Sequence, residues 1–180
     1  MLKIRVRQNL LIKHLEVKEA KLLFELVDKN RDHFKKWLNW VNFIQNIEQE
    51  KRYLKSLSQD EFKAGSIDMG IWLDDKIIGT LGLINIDRLN KHATLGYCLD
   101  EEHQHKGIVT DCCHKLIQFA FNELGINRIE IKVAQNNFRS KAVARRLGFR
   151  HEGTLRQSYH INSTFVDCEL FSKLKSEFKP

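Results

Sequence analysis

The period of apolar and polar positions changes several times along the chain. Residues 10–15 form a short, mostly apolar run that predicts a first strand. From about Val17 apolar residues recur at helical spacing, and a second, heavily charged helical segment extends over about residues 46–63. The aromatic-rich stretch HFKKWLNWVNF between them predicts a short helix and a loop. The first third of the chain is therefore predicted to hold one strand and two main helices.

The central part of the chain has the pattern of strands followed by a long helix. The stretch SIDMGIWLDDKIIGTLGLINIDRL predicts a β-hairpin with its turn at Asp74 and Asp75, and KHATLGYCLD predicts a further strand. From Ile108 two neighbouring rows of apolar residues recur at helical spacing as far as Gly125, a residue type that often ends helices.

The last third alternates between both types of element. RIEIKV predicts a strand, NNFRSKAVARRLGF predicts a helix that ends at Gly148, and residues 149–171 predict two strands joined near Asn162 and Ser163. The strand–helix–strand order across residues 92–133 implies a parallel pair, whereas the hairpins on either side imply antiparallel neighbours. The sequence therefore predicts an α/β protein with a mixed sheet, in a single domain of residues 1–180.

Composition restricts the class of protein. Of the 180 residues 42% are hydrophobic and 29% charged, the balance of an ordered globular chain. No apolar run approaches the ~18 residues of a membrane helix, and the start, MLKIRVRQNL, lacks an apolar signal region. Cys112 and Cys113 are adjacent while Cys98 and Cys168 are isolated, which is no disulfide framework. We therefore expect a cytoplasmic protein with no membrane partner.

The net charge of +7 is concentrated in one segment, residues 127–156, where basic residues exceed acidic ones by six. The basic residues are Arg128, Lys132, Arg139, Lys141, Arg145, Arg146, Arg150 and Arg156. Such a cluster serves a nucleic acid, an acidic protein or a phosphorylated cofactor, or it is only a solvated face. Nucleic-acid binding is disfavoured because only Phe138 and Phe149 are available to stack on bases within this segment.

The segment HQHKGIVT, residues 103–110, places positive charge and a glycine where the long helix begins. The first turn of a helix leaves backbone N–H groups without intrahelical partners, and together with the helix dipole these attract an anion. Gly107 keeps the approach open, Lys106 adds charge and Thr110 adds a hydroxyl. The segment predicts an anion site, although a glycine here also fits simple turn geometry.

A second signal follows the next strand. In AQNNFRSKAVARRLGF, Asn137 and Ser140 stand at a helix start, where such residues also serve as N-terminal caps. Together with Gln104 and Gly107, which match part of a Q-x-x-G-x-G/A signature, the pattern resembles the GNAT superfamily of acetyl-CoA-dependent N-acetyltransferases. The segment EGTLR, then Asp167 and the segment LFSKLKSEF, look like the RimJ/RimL-type branch, which acetylates N-terminal amines of ribosomal proteins.

The resemblance implies the GNAT fold, a mixed, mostly antiparallel sheet flanked by helices. Its central parallel strands, here residues 94–99 and 128–133, splay apart and admit the pantetheine arm of acetyl-CoA. The diphosphate is then expected on the amides of residues 106–110. Candidates for the 3′-phosphate are Arg139, Lys141 and Arg145. The implied coenzyme-binding residues are Cys98, Leu99, Gln104, Lys106, Gly107, Ile108, Val109, Thr110, Asn137, Ser140 and Lys141.

The resemblance also implies catalytic roles. A strand amide near Cys98 or Leu99, freed by a β-bulge, is expected to bind the oxyanion of the reaction. Ser140 is expected to hydrogen-bond or protonate the leaving thiolate, or else to act only as a helix cap.

The general base is not evident. Members of the branch often carry a Glu where this chain has Thr94 and a Trp where it has Cys98, and Tyr159 stands where a later Glu is expected. Water or His160 is left as a proton relay. An acetyl-CoA sensor without turnover remains an alternative to an enzyme.

The missing Glu bears on the acceptor. An α-amine of pKa ~7.7–8.0 is partly neutral at physiological pH, whereas deprotonating a lysine of pKa ~10.4 costs roughly 3–4 kcal/mol more. We therefore expect a protein N-terminus as acceptor, with a small amine (a polyamine, amino sugar or antibiotic) as the alternative. Trp37 and Trp40 are expected to border the acceptor site with Tyr159, although helical spacing also fits core packing for the two tryptophans.

The sequence also bears on two further kinds of partner, a metal ion and a second copy of the chain. Histidines and cysteines around the long helix lack the paired spacing of a zinc site, so no metal is predicted. The residues concerned are His103, His105, Cys112, Cys113 and His114. Members of the family that the chain resembles often dimerise through late strands, so a homodimer is one option, and the sequence leaves the oligomeric state open.

Overall fold

The computed structural model describes residues 2–57 and 65–179. The strands are β1 Lys3–Arg5, β2 Leu10–His14, β3 Ile67–Leu73, β4 Lys76–Asp87, β5 His92–Leu99, β6 Arg128–Ala134, β7 Arg150–Ile161 and β8 Thr164–Leu174. The helices are α1 Ala20–Lys29, α2 Arg31–Phe34, α3 Ile47–Leu57, α4 Ile108–Asn122 and α5 Phe138–Arg146. Short 3₁₀ turns occupy Val17–Glu19, Asn39–Phe43, Glu101–His103 and Lys175–Glu177.

The eight strands form one sheet in the order β1-β2-β3-β4-β5-β6-β8-β7. Among the described strands β5 and β6 run parallel, and every other neighbouring pair is antiparallel. The predicted mixed, mostly antiparallel sheet with a central parallel pair is therefore confirmed. Strand β1 was not predicted, because its three residues are too few to show a period.

The predicted turns agree with the backbone geometry. Asp74 and Asp75 have φ of 48° and 60°, and Asn162 and Ser163 have φ of 48° and 64°. Two successive left-handed residues make a turn whose twist suits a tight hairpin. The helix predicted over residues 46–63 is α3 as far as Leu57, and residues 58–63 of that prediction lie outside the described chain.

Helix α4 carries the main core. Its two predicted rows of apolar residues are buried against the sheet, with Cys112, Leu116 and Phe121 fully enclosed. A separate cluster joins Val27, Phe34 and Val41 to Cys98 of β5. The neighbouring residue, Leu99, belongs to the main core. Because successive strand residues point to opposite faces, these two clusters lie on opposite faces of the sheet.

The parallel pair separates soon after it begins. Strands β5 and β6 are in register at three positions, the last pairing Thr94 with Glu130. Beyond them, residues 95–99 stay paired to β4 and residues 131–134 stay paired to β8, but not to each other. We call this divergence the notch. Within residues 2–57 and 65–179, no helix is long and apolar enough to cross a bilayer.

Candidate functional site

A cavity of about 1490 Å³ opens at the notch. It is lined by residues 94–99 and 131–134 of the diverging strands, by residues 103–110 at the start of α4, and by residues 37–40 of the aromatic segment. It brings together most of the residues predicted for the coenzyme and the acceptor. Those in its lining are Trp37, Trp40, Cys98, Leu99, Gln104, Lys106, Gly107, Ile108, Val109, Thr110, Asn137, Ser140 and Tyr159.

The start of α4 is open toward ligands. Gly107 is the N-cap residue with φ of 72°, and no side chain of the described chain caps this turn. A Cβ built on Gly107 meets no atom closer than Nη2 of Arg7, at 3.5 Å. The amides of residues 108–110 precede the first intrahelical bond, which Asp111 N–H donates to the Gly107 carbonyl over 3.0 Å. These amides are therefore open to an approaching anion.

Arg7 is a residue of this site that sequence reasoning missed. Its Nε donates to Oδ2 of Asp111 over 2.6 Å, and its Nη2 lies 3.5 Å from the Lys106 carbonyl oxygen. A carboxylate in the first turn of α4 would repel a diphosphate, and the guanidinium offsets that charge. Because 104 residues separate Arg7 from Asp111, no local pattern reveals the pair.

Gln104 has protein partners for its side chain. Its Nε2 lies 2.7 Å from Nε2 of His33 in α2, and its Oε1 accepts from Nη1 of Arg139 in α5. The amide thus bridges two helices on either side of the α4 start. Gln104 lines the cavity, and in this arrangement its side chain hydrogen-bonds to residues of both helices. That it binds the coenzyme stays a prediction.

The basic segment is not one patch. Arg128 donates to Glu130 and to Glu152, over 3.0 Å and 2.8 Å, and Arg150 Nε lies 3.0 Å from Glu177. These two cations are therefore committed to carboxylates within the sheet region and its C-terminal turn.

Only part of the segment reaches the cavity. Arg139 lines it, and so does Arg146, which was not among the phosphate candidates and whose Nε donates to Thr110 Oγ1 over 3.4 Å. Arg145 and Lys141 are outside the lining, and Lys141 Nζ lies 4.9 Å from the ring centre of Phe138.

Ser140 has separate roles for its backbone and its hydroxyl. Its N–H donates to Oδ1 of Asn137 over 3.1 Å, so Asn137 is the side chain that caps α5. The Ser140 hydroxyl lies 2.8 Å from the hydroxyl of Tyr97 on β5. The hydroxyl of Ser140 is therefore not the helix cap. Tyr97 was missed by the sequence reasoning, and burial raises the pKa of its hydroxyl, which keeps it protonated.

The bulge predicted near Cys98 is wrong. Pairing of β5 with β4 runs without a shift from Thr94 to Leu99, and the irregularity lies beyond Ile84 instead. The notch itself leaves the β5 amides that face β6 without interstrand hydrogen-bond partners. The Cys98 side chain is buried on the opposite face of the sheet from Leu99, with Sγ 3.2 Å from Oγ1 of Thr80.

The residues at the positions of the missing glutamates supply no evident base. Thr94 is buried, and its Oγ1 has no hydrogen-bond partner in the described chain. Tyr159 donates to the Lys132 carbonyl over 3.3 Å, and burial raises the pKa of its hydroxyl to about 12. His160 packs on Phe165, with ring centres 4.7 Å apart.

A carboxylate that sequence reasoning missed lines the cavity instead. Glu50 of α3 is only 2% exposed, and its Oε2 has no hydrogen-bond partner within the described residues. Burial raises the pKa of this carboxyl to about 7. In the sequence Glu50 stands four residues before Leu54, on the apolar face of α3, but no pattern places that face on the cavity wall. Glu48 of the same charged helix is exposed.

The aromatic segment forms one wall. Phe34 and Val41 are fully buried and fill the packing role, whereas Trp37 is half-buried and Trp40 is exposed. Both tryptophans line the cavity, so core packing does not account for them. Among the described residues, no group of three His, Cys, Asp or Glu side chains is arranged to hold a metal ion.

The chain matches the acetyltransferase (GNAT) domain family over residues 9–150. It is 34% identical over 179 residues to "Putative ribosomal N-acetyltransferase YdaF" of Bacillus subtilis (strain 168), covering 97% of this chain and 96% of that protein. It is 30% identical over 171 residues to "Ribosomal-protein-serine acetyltransferase" of Escherichia coli (strain K12), covering 95% and 96%. A solved structure of RimL, a ribosomal L7/L12 alpha-N-protein acetyltransferase in complex with coenzyme A, superimposes with a TM-score of 0.92, 25% identity and coverage of 96% and 98%.

Proposed function

The chain belongs to the GNAT acetyltransferase family and is an acetyl-CoA-dependent N-acetyltransferase of the ribosomal-protein acetyltransferase type, and we propose that its acceptor is the N-terminal α-amine of a protein. The notch is the observation that best supports this function. It leaves backbone groups of β5 and β6 without interstrand hydrogen bonds, next to the uncapped start of α4. Both features line one cavity.

This geometry suits the parts of acetyl-CoA. Amides of residues 106–110 at the start of α4 bind the diphosphate, and Arg139 and Arg146 add positive charge at the same end of the cavity. An extended pantetheine arm takes up hydrogen bonds along residues 95–99, as an added strand would. The cosubstrate supplies a thioester, whose carbonyl carbon is the electrophile.

The residues of the chain then divide the catalytic work. A backbone amide near Cys98 or Leu99 hydrogen-bonds the thioester oxygen as negative charge develops on it. The Ser140 hydroxyl donates to the departing sulfur, and the Tyr97 hydroxyl at 2.8 Å orients it. A coenzyme thiol with pKa near ~8.5 leaves readily, so this donation provides a modest part of the rate.

Two observations support the α-amine. The relatives are named for ribosomal-protein and protein N-terminal acetylation. The cavity is also open beside Trp37 and the exposed Trp40, whose flat apolar rings suit the first side chain of an incoming peptide.

A small-molecule amine is the second candidate. Glu50 and Asp68 place carboxylates on the cavity wall, and carboxylates attract a cationic polyamine or amino sugar. The lysines beside Trp37 act in the opposite direction, because their positive charge repels such a substrate.

Thiol release from acetyl-CoA, measured against a panel of amines, separates the candidates. The panel holds short peptides with free N-termini, the same peptides blocked at the N-terminus but carrying lysine, spermidine and an aminoglycoside. We expect turnover with the free N-termini and little with the blocked peptides. Preference for lysine or spermidine would overturn the proposed acceptor.

A further inference from the structure

Glu50 occupies an unusual place in α3. The buried row of this helix runs through Leu54 and Leu57, and Glu50 stands four residues before Leu54 on the same face. Helical periodicity calls for an apolar side chain there. The chain instead buries a carboxyl group whose Oε2 has no partner in the described part of the structure.

The carboxyl group lies on the wall of the cavity that holds the notch. An ionised carboxylate without a partner is costly to bury, and such groups are concentrated where chemistry needs them. No other α3 side chain is both fully buried and charged among those described.

The neighbours of Glu50 connect it to the notch. Tyr53, on the same helix as Glu50, lies close enough to interact electrostatically with it. Tyr53 also interacts with Asp68 of β3 and with Cys98 of β5. Asp68 accepts a hydrogen bond from the Tyr53 hydroxyl, so that carboxylate is already engaged. Cys98 is one of the residues whose backbone is placed beside the thioester, and Thr80 of β4 contacts its sulfur.

We propose that Glu50 is the catalytic base, which binds the acceptor ammonium in the cavity and takes one proton from it. The inference rests on the proposed function, because it needs an amine acceptor at the notch.

The reaction removes two protons from the acceptor nitrogen. The ammonium gives one proton to the Glu50 carboxylate and becomes a neutral amine. Its lone pair forms the C–N bond to the thioester carbon, and the C–S bond breaks with its electron pair going to sulfur. The nitrogen loses a second proton, which the thiolate takes up through the Ser140 hydroxyl. The products are the amide, coenzyme A and protonated Glu50.

The proton affinity of the site fits this role. Burial raises the pKa of Glu50 to about 7, close to that of an α-amine at ~7.7–8.0. A base matched in this way to its substrate is ionised in about half of the molecules at neutral pH and is still able to hold the proton. Of the titratable groups around it, Tyr53 on the same helix interacts electrostatically with Glu50, and Asp68 and Cys98 interact in turn with Tyr53.

The test compares Glu50→Gln with Glu48→Gln. Glu48 lies on the same helix, is exposed and pairs with Lys51, so it controls for loss of a charge from α3. The acceptor is a short synthetic peptide with a free N-terminal serine. At neutral pH we expect kcat/KM to fall by ~10²-fold or more for Glu50→Gln. Glu48→Gln should match the wild type. Acetyl-CoA affinity, measured by calorimetry, should be unchanged in both variants.

The pH profile gives the sharper result. In the wild type the reactive pair is carboxylate plus ammonium, so kcat/KM rises through about pH 7 and falls above the amine pKa. Glu50→Gln needs amine that is already neutral, so its rate only rises as pH increases. If Glu50→Gln does not fold, Glu50→Asp should keep the fall in kcat/KM above the amine pKa, at a lower rate.

The outcomes are distinguishable. A Glu50→Gln rate and profile equal to the wild type, or a Glu50→Asp profile that keeps rising above the amine pKa, overturns the role of Glu50 and leaves the acetyltransferase intact. Wild-type protein that binds acetyl-CoA but acetylates no amine of the panel overturns the proposed acceptor, and the inference about Glu50 with it.

Discussion

At the scale of single residues, Ser140 offers a clean separation of chemistry from folding. Its backbone amide is capped by Asn137, and alanine keeps that amide. We expect Ser140→Ala to lower kcat by ~10- to 100-fold, because the departing sulfur loses its hydroxyl donor. Acetyl-CoA affinity and the melting temperature should stay near wild type. Steady-state kinetics and thermal unfolding check both expectations.

Tyr97→Phe is the matched partner of that variant. It removes the hydroxyl 2.8 Å from Ser140 and keeps the ring in place. If Tyr97 acts by orienting Ser140, its loss should be smaller, and the double variant should be no slower than Ser140→Ala alone. Wild-type kcat in Ser140→Ala would contradict a role for this hydroxyl in the reaction.

Residues with local signals could be predicted from the sequence, and residues with distant partners could not. Gly107 and Asn137 stand at helix starts, where neighbouring residues reveal the role. Arg7 acquires its role from Asp111 far along the chain, and Glu50 from its burial beside the notch. Helical spacing puts Glu50 on the buried face of α3, but no spacing rule reports that this face borders the notch or that Arg7 meets Asp111.

At the scale of elements, one ion pair ties together the late strands. Arg128 on β6 donates to Glu152 on β7, and Glu152 also accepts from Ser172 on β8. These bonds lower the pKa of Glu152 to about 2. The folded-state pKa is below the unfolded one, so this stabilisation is present above about pH 4.5 and is lost as the pH falls toward 2.

We therefore expect Glu152→Gln to reduce the free energy of unfolding by about 1 kcal/mol at neutral pH, a value discounted for partial exposure of the pair. The deficit should shrink below about pH 4. Urea titrations at both pH values measure it, with Glu123→Gln, an exposed carboxylate after α4, as control. A deficit independent of pH would contradict the ionic origin.

The order of the predicted elements was right because their periods are long or their turns are marked. The hairpin turns at Asp74 and Asn162 follow from adjacent polar residues that accept left-handed backbone. Strand β1 is too short to show a period. The expected bulge near Cys98 failed because the notch frees the β5 backbone by separating two strands, which no residue type marks.

At the scale of the whole molecule, burial of Glu50 acts on stability in the opposite direction to Glu152. Its folded-state pKa of about 7 exceeds the ordinary carboxyl pKa of 4.5, so stability falls as the pH rises between these values. Glu50→Gln should be more stable than wild type at about pH 8, by on the order of 1–3 kcal/mol, and equal to it near pH 4. Denaturant unfolding at the two pH values tests this. Equal stability at both would contradict a buried, ionisable Glu50.

The net charge of +7 does not amount to one binding surface, since Arg128 and Arg150 are paired within the fold. That nucleic acid is not a partner stays a prediction, and we expect no gel shift with short RNA or DNA duplexes at physiological salt. A homodimer through the late strands also stays a prediction, which light scattering tests. A shift that survives physiological salt would contradict the first.

Calorimetry with two glycine variants tests whether the open turn at Gly107 binds the diphosphate of acetyl-CoA. Gly107→Glu and Gly125→Glu place the same side chain on left-handed backbone at opposite ends of α4, with φ of 72° and 68°. Backbone strain is thus matched, and only the first puts a carboxylate at the anion site. We expect Gly107→Glu to bind acetyl-CoA at least ~100-fold more weakly than wild type, and Gly125→Glu to bind it within a few-fold of the wild-type affinity. Unchanged affinity in Gly107→Glu, or an equal loss in both variants, would contradict diphosphate binding at this turn.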